Sequence, residues 1–167
     1  MARSTTLKGN PLALEGPELK VGDPAPDATL RADLVTDTTL GAYAGKVRIY
    51  SVVPSLDTPI CALQTKRFND EASSLPNVEF ITISCDLPVA QSRFCDAENI
   101  GDRVTVLSDH KLAEFGQRYG TLITDLRVLS RALFVVGADD TLKHVEYVPE
   151  VAEHPDYDAA LAVLKAQ

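Results

Sequence analysis

Three cysteines are the side chains in this 167-residue chain best suited to covalent chemistry, and one of them stands where helices activate thiols. The segment is Val52-Val53-Pro54-Ser55-Leu56-Asp57-Thr58-Pro59-Ile60-Cys61. The preceding Arg48-Ile49-Tyr50-Ser51-Val52-Val53 is β-rich and ends at Pro54. Thr58 suits an N-cap and Pro59 the first helical position, so Cys61 becomes the third residue of a helix. Amide N–H groups there have no intrahelical acceptor, and the positive end of the helix dipole favours thiolate over thiol. A thiolate is a nucleophile, whereas the default for an isolated cysteine is a small buried hydrophobe.

The remaining chemistry-bearing residues are sparse. Cys85 follows an apolar run and reads as a free structural thiol, while Cys95 follows Phe94 on a short helical stretch. Three cysteines cannot all pair within one chain; none form a C-x-x-C pair, and His110, His144 and His154 do not cluster. A zinc site is therefore not expected. Gly41-Ala42-Tyr43-Ala44-Gly45-Lys46-Val47 is one residue short of a phosphate loop and has no Ser or Thr after its lysine. A cysteine hydrolase would need a histidine base, and no histidine has a suitable setting.

The elements that must position Cys61 follow from hydrophobic period and turn residues. A small N-terminal hairpin is expected over 5–14, with its turn at Lys8-Gly9-Asn10-Pro11, and an irregular, proline-rich stretch over 22–27. Short extended pieces fall at 28–30 and 38–40, then a strand at 46–53 leads into a helix over 59–74. Along that helix Cys61, Thr65, Phe68, Ala72 and Leu75 share one face, which turns the thiol inward. A buried strand at 78–84, a short helix from Pro88 through Cys95, a strand at 104–107 and a helix near 110–119 come next. A hairpin of 131–136 with 141–147 and a last helix at 155–166 complete the chain. Two β-α-β units, a hairpin and a terminal helix imply a mixed α/β sheet with helices on both sides, consistent with a thioredoxin-like fold.

Length suits one domain, 1–167, with 1–16 as a hairpin extension. A net charge of −8 argues against nucleic acid or an anionic membrane as the main partner. No apolar run reaches membrane-span length, and the first thirty residues lack a signal-peptide plan, so the expected location is cytoplasmic.

The spacing Pro54-x-x-x-Thr58-x-x-Cys61 resembles the active-site signature of the peroxiredoxins. Asn10-Pro11, Val21-Gly22-Asp23-Pro24-Ala25-Pro26, the run Asp86-Leu87-Pro88-Val89-Ala90-Gln91-Ser92-Arg93-Phe94-Cys95 and the ending Pro155–Leu164 are similar to the thiol peroxidase subgroup. The resemblance covers nearly the whole chain, and the block ending in Cys95 is its most specific part.

The resemblance implies a peroxidatic Cys61, a resolving Cys95, a Thr58 hydroxyl bonded to Cys61 and a Pro54 that shields the sulfur. It also implies an arginine opening a late strand, which Arg131 matches. The loop from Gly120 to Arg131 is shorter than the subgroup's and lacks its Gly/Pro content, which leaves Arg127 as a competing assignment. The implied activity is reduction of hydrogen peroxide and organic hydroperoxides without haem, flavin or metal. Thioredoxin or a similar dithiol protein would recycle the enzyme, and the subgroup is typically a homodimer. A non-enzymatic thioredoxin-like redox sensor or binding module is the alternative.

Overall fold

A computed structural model describes residues 2–167; Met1, the first residue of the expected hairpin extension, lies outside the described residues. The chain opens with strands β1 (Ser4–Leu7) and β2 (Asn10–Glu15), paired antiparallel. Lys8 and Gly9 link them with φ of 51° and 79°, the left-handed pair that a two-residue hairpin turn requires. Strands β3 (Thr29–Arg31) and β4 (Asp37–Thr39) precede a 3-10 turn over Leu40–Tyr43.

The expected β-α-β units follow as β5 (Arg48–Val52), α1 (Pro59–Ala72), β6 (Glu79–Ser84), α2 (Pro88–Glu98) and β7 (Val104–Ser108). The short helix α3 (Glu114–Tyr119), strands β8 (Leu122–Ile123) and β9 (Val128–Leu129), the hairpin β10 (Ala132–Val136) with β11 (Leu142–Tyr147), and α4 (Tyr157–Lys165) complete the fold. No described helix is long and apolar enough to cross a membrane.

The main sheet has the order β11-β10-β5-β6-β7-β3-β4, with β5, β6 and β7 parallel and the other pairs antiparallel. Side chains alternate across it. Ile49, Phe80, Leu133 and Val135 meet Phe68 of α1 and Leu161 and Leu164 of α4 on one face. Tyr50, Ile81, Ile83 and Phe134 meet Phe115 and Tyr119 of α3 on the other. The mixed sheet flanked by helices is thus as expected. On the second face Phe115 stacks on Tyr119 at 4.2 Å between ring centroids, and Phe134 meets Tyr119 edge-on at 5.1 Å. Each such aromatic pair adds roughly 0.5–1.5 kcal/mol beyond its buried area.

Several boundaries differ from expectation. Helix α1 ends at Ala72 rather than 74, and α2 continues past Cys95 to Glu98, where Asn99 caps it in the left-handed conformation. The helix expected near 110–119 begins only at Glu114. The buried carboxylate of Asp109 accepts N–H bonds from Phe115 and Gly116 at 3.1 and 2.8 Å, which sets the start of α3 four residues later. The β8–β9 hairpin was not foreseen from its two-residue strands. It joins β1 and β2 in a second, four-stranded sheet, and Gly116 lets it pack closely, since a Cβ there would lie 2.7 Å from Leu129.

Burial pushes Asp109 up to about 6, against the opposing pull of its amide hydrogen bonds. Its unperturbed carboxyl titrates near 3.8, so the native state holds this proton to higher pH than the unfolded chain does. The resulting stabilisation is complete below the unfolded value and is lost as pH rises through about 6. Asp109→Asn removes that titration. The stability of the wild type relative to this variant is therefore expected to fall between about pH 4 and about pH 7 in urea titrations. A difference that stays flat or grows with pH would show that burial does not dominate at Asp109.

Candidate active site

Cys61 is the third residue of α1, behind Pro59 at the first position, and its side chain is completely buried. The chain leaves β5, passes through Pro54–Thr58 and enters the helix with the Ala62 amide bonded to the Thr58 carbonyl at 3.0 Å. Val53 and Leu56 pack with Cys61, and Phe94 of α2 and Val106 of β7 close over this small cluster. Pro54 is half-buried at the start of the same loop.

Arg131 lies directly before β10, and that strand pairs with β5, where Ala132 faces Val52 and Leu133 faces Ser51. This pairing carries the guanidinium beneath the N-terminus of α1. Arg131 is 2% exposed and spreads its donors over three acceptors. Nη2 reaches Cys61 Sγ at 3.3 Å, Nη1 reaches Gln64 Oε1 at 2.9 Å, and Nε reaches the Val151 carbonyl at 3.0 Å. None of the ion pairs among the described residues involves Arg131. A buried cation without a carboxylate is costly, and the acceptor here that can carry a full negative charge is the sulfur. The arrangement places a cation where negative charge on that sulfur, or on an oxygen leaving it, is stabilised.

Gln64 was not foreseen from the sequence. One turn beyond Cys61, it is fully buried, accepts from Arg131, and donates from Nε2 to Ser51 Oγ at 2.8 Å. It transmits the position of β5 to the guanidinium. Its i+3 spacing from Cys61 was the available signal, but a glutamine on a helix ordinarily reads as solvent-facing.

Arg127 is not in this cluster. It is exposed at the β8–β9 turn with φ of 55°, and its guanidinium pairs with Glu15 of β2 at 3.4 Å. Thr58 holds the N-cap position, but its side chain makes no cap bond. The hydroxyl instead donates to the Ser55 carbonyl at 3.2 Å, so its one proton is not directed at Cys61.

Cys95 sits in α2, half-buried, with burial and then the neighbouring Asp96 charge holding its thiol above the ordinary range. It lines a cavity of about 260 Å³ with Pro88, Gln91 and Ile100. All three cysteines are free, and Cys61 and Cys95 lie in separate helices. Cys85 follows β6, and burial, reinforced by Asp109 and Asp86, pushes its thiol up to about 12. It stays protonated at neutral pH, in keeping with a structural thiol.

Residues 20–161 match the family described as Redoxin. The chain is 53% identical to a thiol peroxidase of Oceanobacillus iheyensis over 161 residues, covering 96% of this chain and 98% of that protein. A thiol peroxidase of Halalkalibacterium halodurans is 48% identical over 163 residues, 98% of each chain. The crystal structure of a peroxiredoxin-like protein from Aquifex aeolicus superposes with a TM-score of 0.91 at 41% identity, covering 99% of this chain and 98% of that one.

Proposed function

Because the chain belongs to the redoxin family and is a peroxiredoxin-type, thiol-dependent peroxidase, we propose that Cys61 is its peroxidatic residue and Cys95 its resolving one. The observation that carries the assignment of Cys61 is the buried Arg131 guanidinium on its sulfur at 3.3 Å, with no carboxylate paired to that cation among the described residues.

The sulfur attacks the terminal oxygen of a hydroperoxide. The O–O bond breaks, the thiolate becomes a sulfenic acid, and the leaving oxygen departs as water or an alcohol after gaining a proton. Arg131 is the electrostatic partner of the charge that moves from sulfur to the departing oxygen. Gln64 and the Val151 carbonyl hold two of its donors, leaving Nη2 aimed at the reacting sulfur. Pro54 belongs to the loop that shelters the site. The Thr58 hydroxyl is close enough in sequence to serve the leaving oxygen once it rotates away from Ser55.

The sulfenic acid then condenses with the Cys95 thiol to a disulfide and water. Cys61 is completely buried and Cys95 lies in a separate helix, so local unwinding of α1 at Cys61, or of α2 around Cys95, brings the sulfurs into disulfide geometry for this step. Thioredoxin or a similar dithiol protein resets the enzyme by thiol–disulfide exchange. A cytoplasmic location follows from that dependence, since a reducing compartment supplies the dithiol. A homodimer with the disulfide inside each subunit is part of the same reading. A sensor without turnover lacks a comparable argument, because the relatives over nearly the full chain are peroxidases by name.

Treatment with one equivalent of peroxide, alkylation and non-reducing mass mapping tests the assignment. The expected product is a Cys61–Cys95 disulfide, with Cys85 alkylated. Cys95→Ser should still consume one equivalent of peroxide per subunit and then stall with thioredoxin as reductant. Sustained turnover at the wild-type rate in that variant would remove Cys95 as resolving residue.

A further inference from the structure

Asp86 is a hydrogen-bonded hub between the two cysteine-bearing helices. It lies in the link from β6 to α2, two residues before Pro88 opens α2. Its Oδ1 accepts from Ser55 Oγ at 2.7 Å, and its Oδ2 accepts from the Leu56 amide at 2.8 Å and from Ser84 Oγ at 2.7 Å. Its own carbonyl accepts from Ser108 Oγ at the end of β7. Ser55 and Leu56 belong to the loop that delivers Cys61, and Leu56 packs with that thiol. Asp86 thus ties the Cys61 loop to the root of the Cys95 helix. It lines an open cavity of about 530 Å³ between them, together with Arg93 and Phe94.

None of these contacts touches the reacting sulfur. We propose that Asp86 is a positioning residue that latches the Cys61 loop in its peroxide-reactive form, and that release of this latch governs how fast the sulfenic acid reaches Cys95. The inference rests on the Cys61–Cys95 reading above. A charged acceptor holding a hydroxyl and a backbone amide from one loop is a stronger tether than the neutral turn contacts around it. The loop or α2 must move for the two sulfurs to meet, and Asp86 is bonded to the first and covalently part of the approach to the second.

The latch decides between two balanced outcomes for Cys61 sulfenic acid. Condensation with the Cys95 thiol gives the disulfide and water. Attack on a second hydroperoxide gives the sulfinic acid and an alcohol or water, the peroxide being reduced. A tight latch keeps the sulfenic acid in the reactive pocket longer and favours the second outcome.

Quenched-flow mass spectrometry on Asp86→Ala separates the steps. Cys61 oxidation is expected to slow by about tenfold, because the pocket loses its closed form, while disulfide formation speeds up by about fivefold; both figures follow from losing charge-assisted bonds. Sulfinic acid formed per turnover should fall accordingly. Ser55→Ala removes one latch bond and should move the same quantities in the same directions by less, and it decides the matter if Asp86→Ala does not fold. Ordinary structural damage would slow both steps together, and that result, or unchanged rates, would overturn the latch. A wild type that joins other cysteines would overturn the cysteine assignment and the latch with it. A wild type joining Cys61 to Cys95, with variants lacking opposite shifts, would overturn the latch alone.

Discussion

Cys61→Ser is expected to lose peroxide reduction by at least about 10³-fold while keeping its thermal unfolding midpoint close to wild type. The loss is large because a serine hydroxyl is a feeble nucleophile without a base, and the group bonded at that position is a guanidinium, which cannot take its proton. Neither remaining thiol is placed to substitute. Burial pushes Cys85 up to about 12, and Cys95 is likewise raised by burial with no cation among the causes acting on it. The fold should tolerate the change, since serine is close in volume and a hydroxyl oxygen can accept from Arg131. Direct peroxide consumption, followed beside a melting curve, checks both halves. Full activity in the variant would mean that another residue performs the reaction.

Arg131→Met should lower the second-order rate of Cys61 oxidation by about 10²–10³-fold, the loss typical of removing one preorganised donor from a site of developing charge. Methionine nearly fills the space but supplies neither charge nor donors. The Gln64 carbonyl oxygen and the Val151 carbonyl would lose their partner, so some loss of stability is expected as well. Arg131→Lys separates charge from geometry. An ammonium keeps the cation but cannot reach three acceptors held in a planar fan, so an intermediate rate is expected. The rate of Cys61 oxidation, followed beside the thermal unfolding midpoint, tells lost chemistry from lost packing. A wild-type oxidation rate in Arg131→Met would return Arg131 to a purely structural role.

The resemblance to peroxiredoxins named Arg131 and left Arg127 in contention, because the loop before β10 is short for the subgroup. Strand pairing places the two arginines differently, and of the two Arg131 is the one bonded to Cys61. Residues 121–130 fold into the tight β8–β9 hairpin, which docks on β2 and aims Arg127 at Glu15. Arg131 is left at the threshold of β10, opposite the end of β5. Two-residue strands carry no period to read, and β2, on which β8 pairs, lies more than a hundred positions earlier in the chain. Gln64 was hidden for a related reason, since its burial is created by β5 and β10 and not by its own helix. The late start of α3 likewise depends on one buried carboxylate, Asp109, reaching amides six and seven residues on.

Local features of the chain were sufficient to place Cys61, the proposed nucleophile, in the first turn of a helix. Apolar run, proline, Thr58, Pro59 and Cys61 follow one another within a few residues, and each constrains its neighbours through backbone sterics and unsatisfied amides that exist before any tertiary contact. Helix period alone then turned Cys61 inward. Tertiary structure decided everything that acts on the sulfur from outside that segment. The cation arrives from β10, its alignment from Gln64, Ser51 and Val151, the apolar cover from α2 and β7, and the loop tether from Asp86. Those groups are distant in sequence. They meet because burying both faces of one sheet brings β5 beside β10 and lays α1 across them.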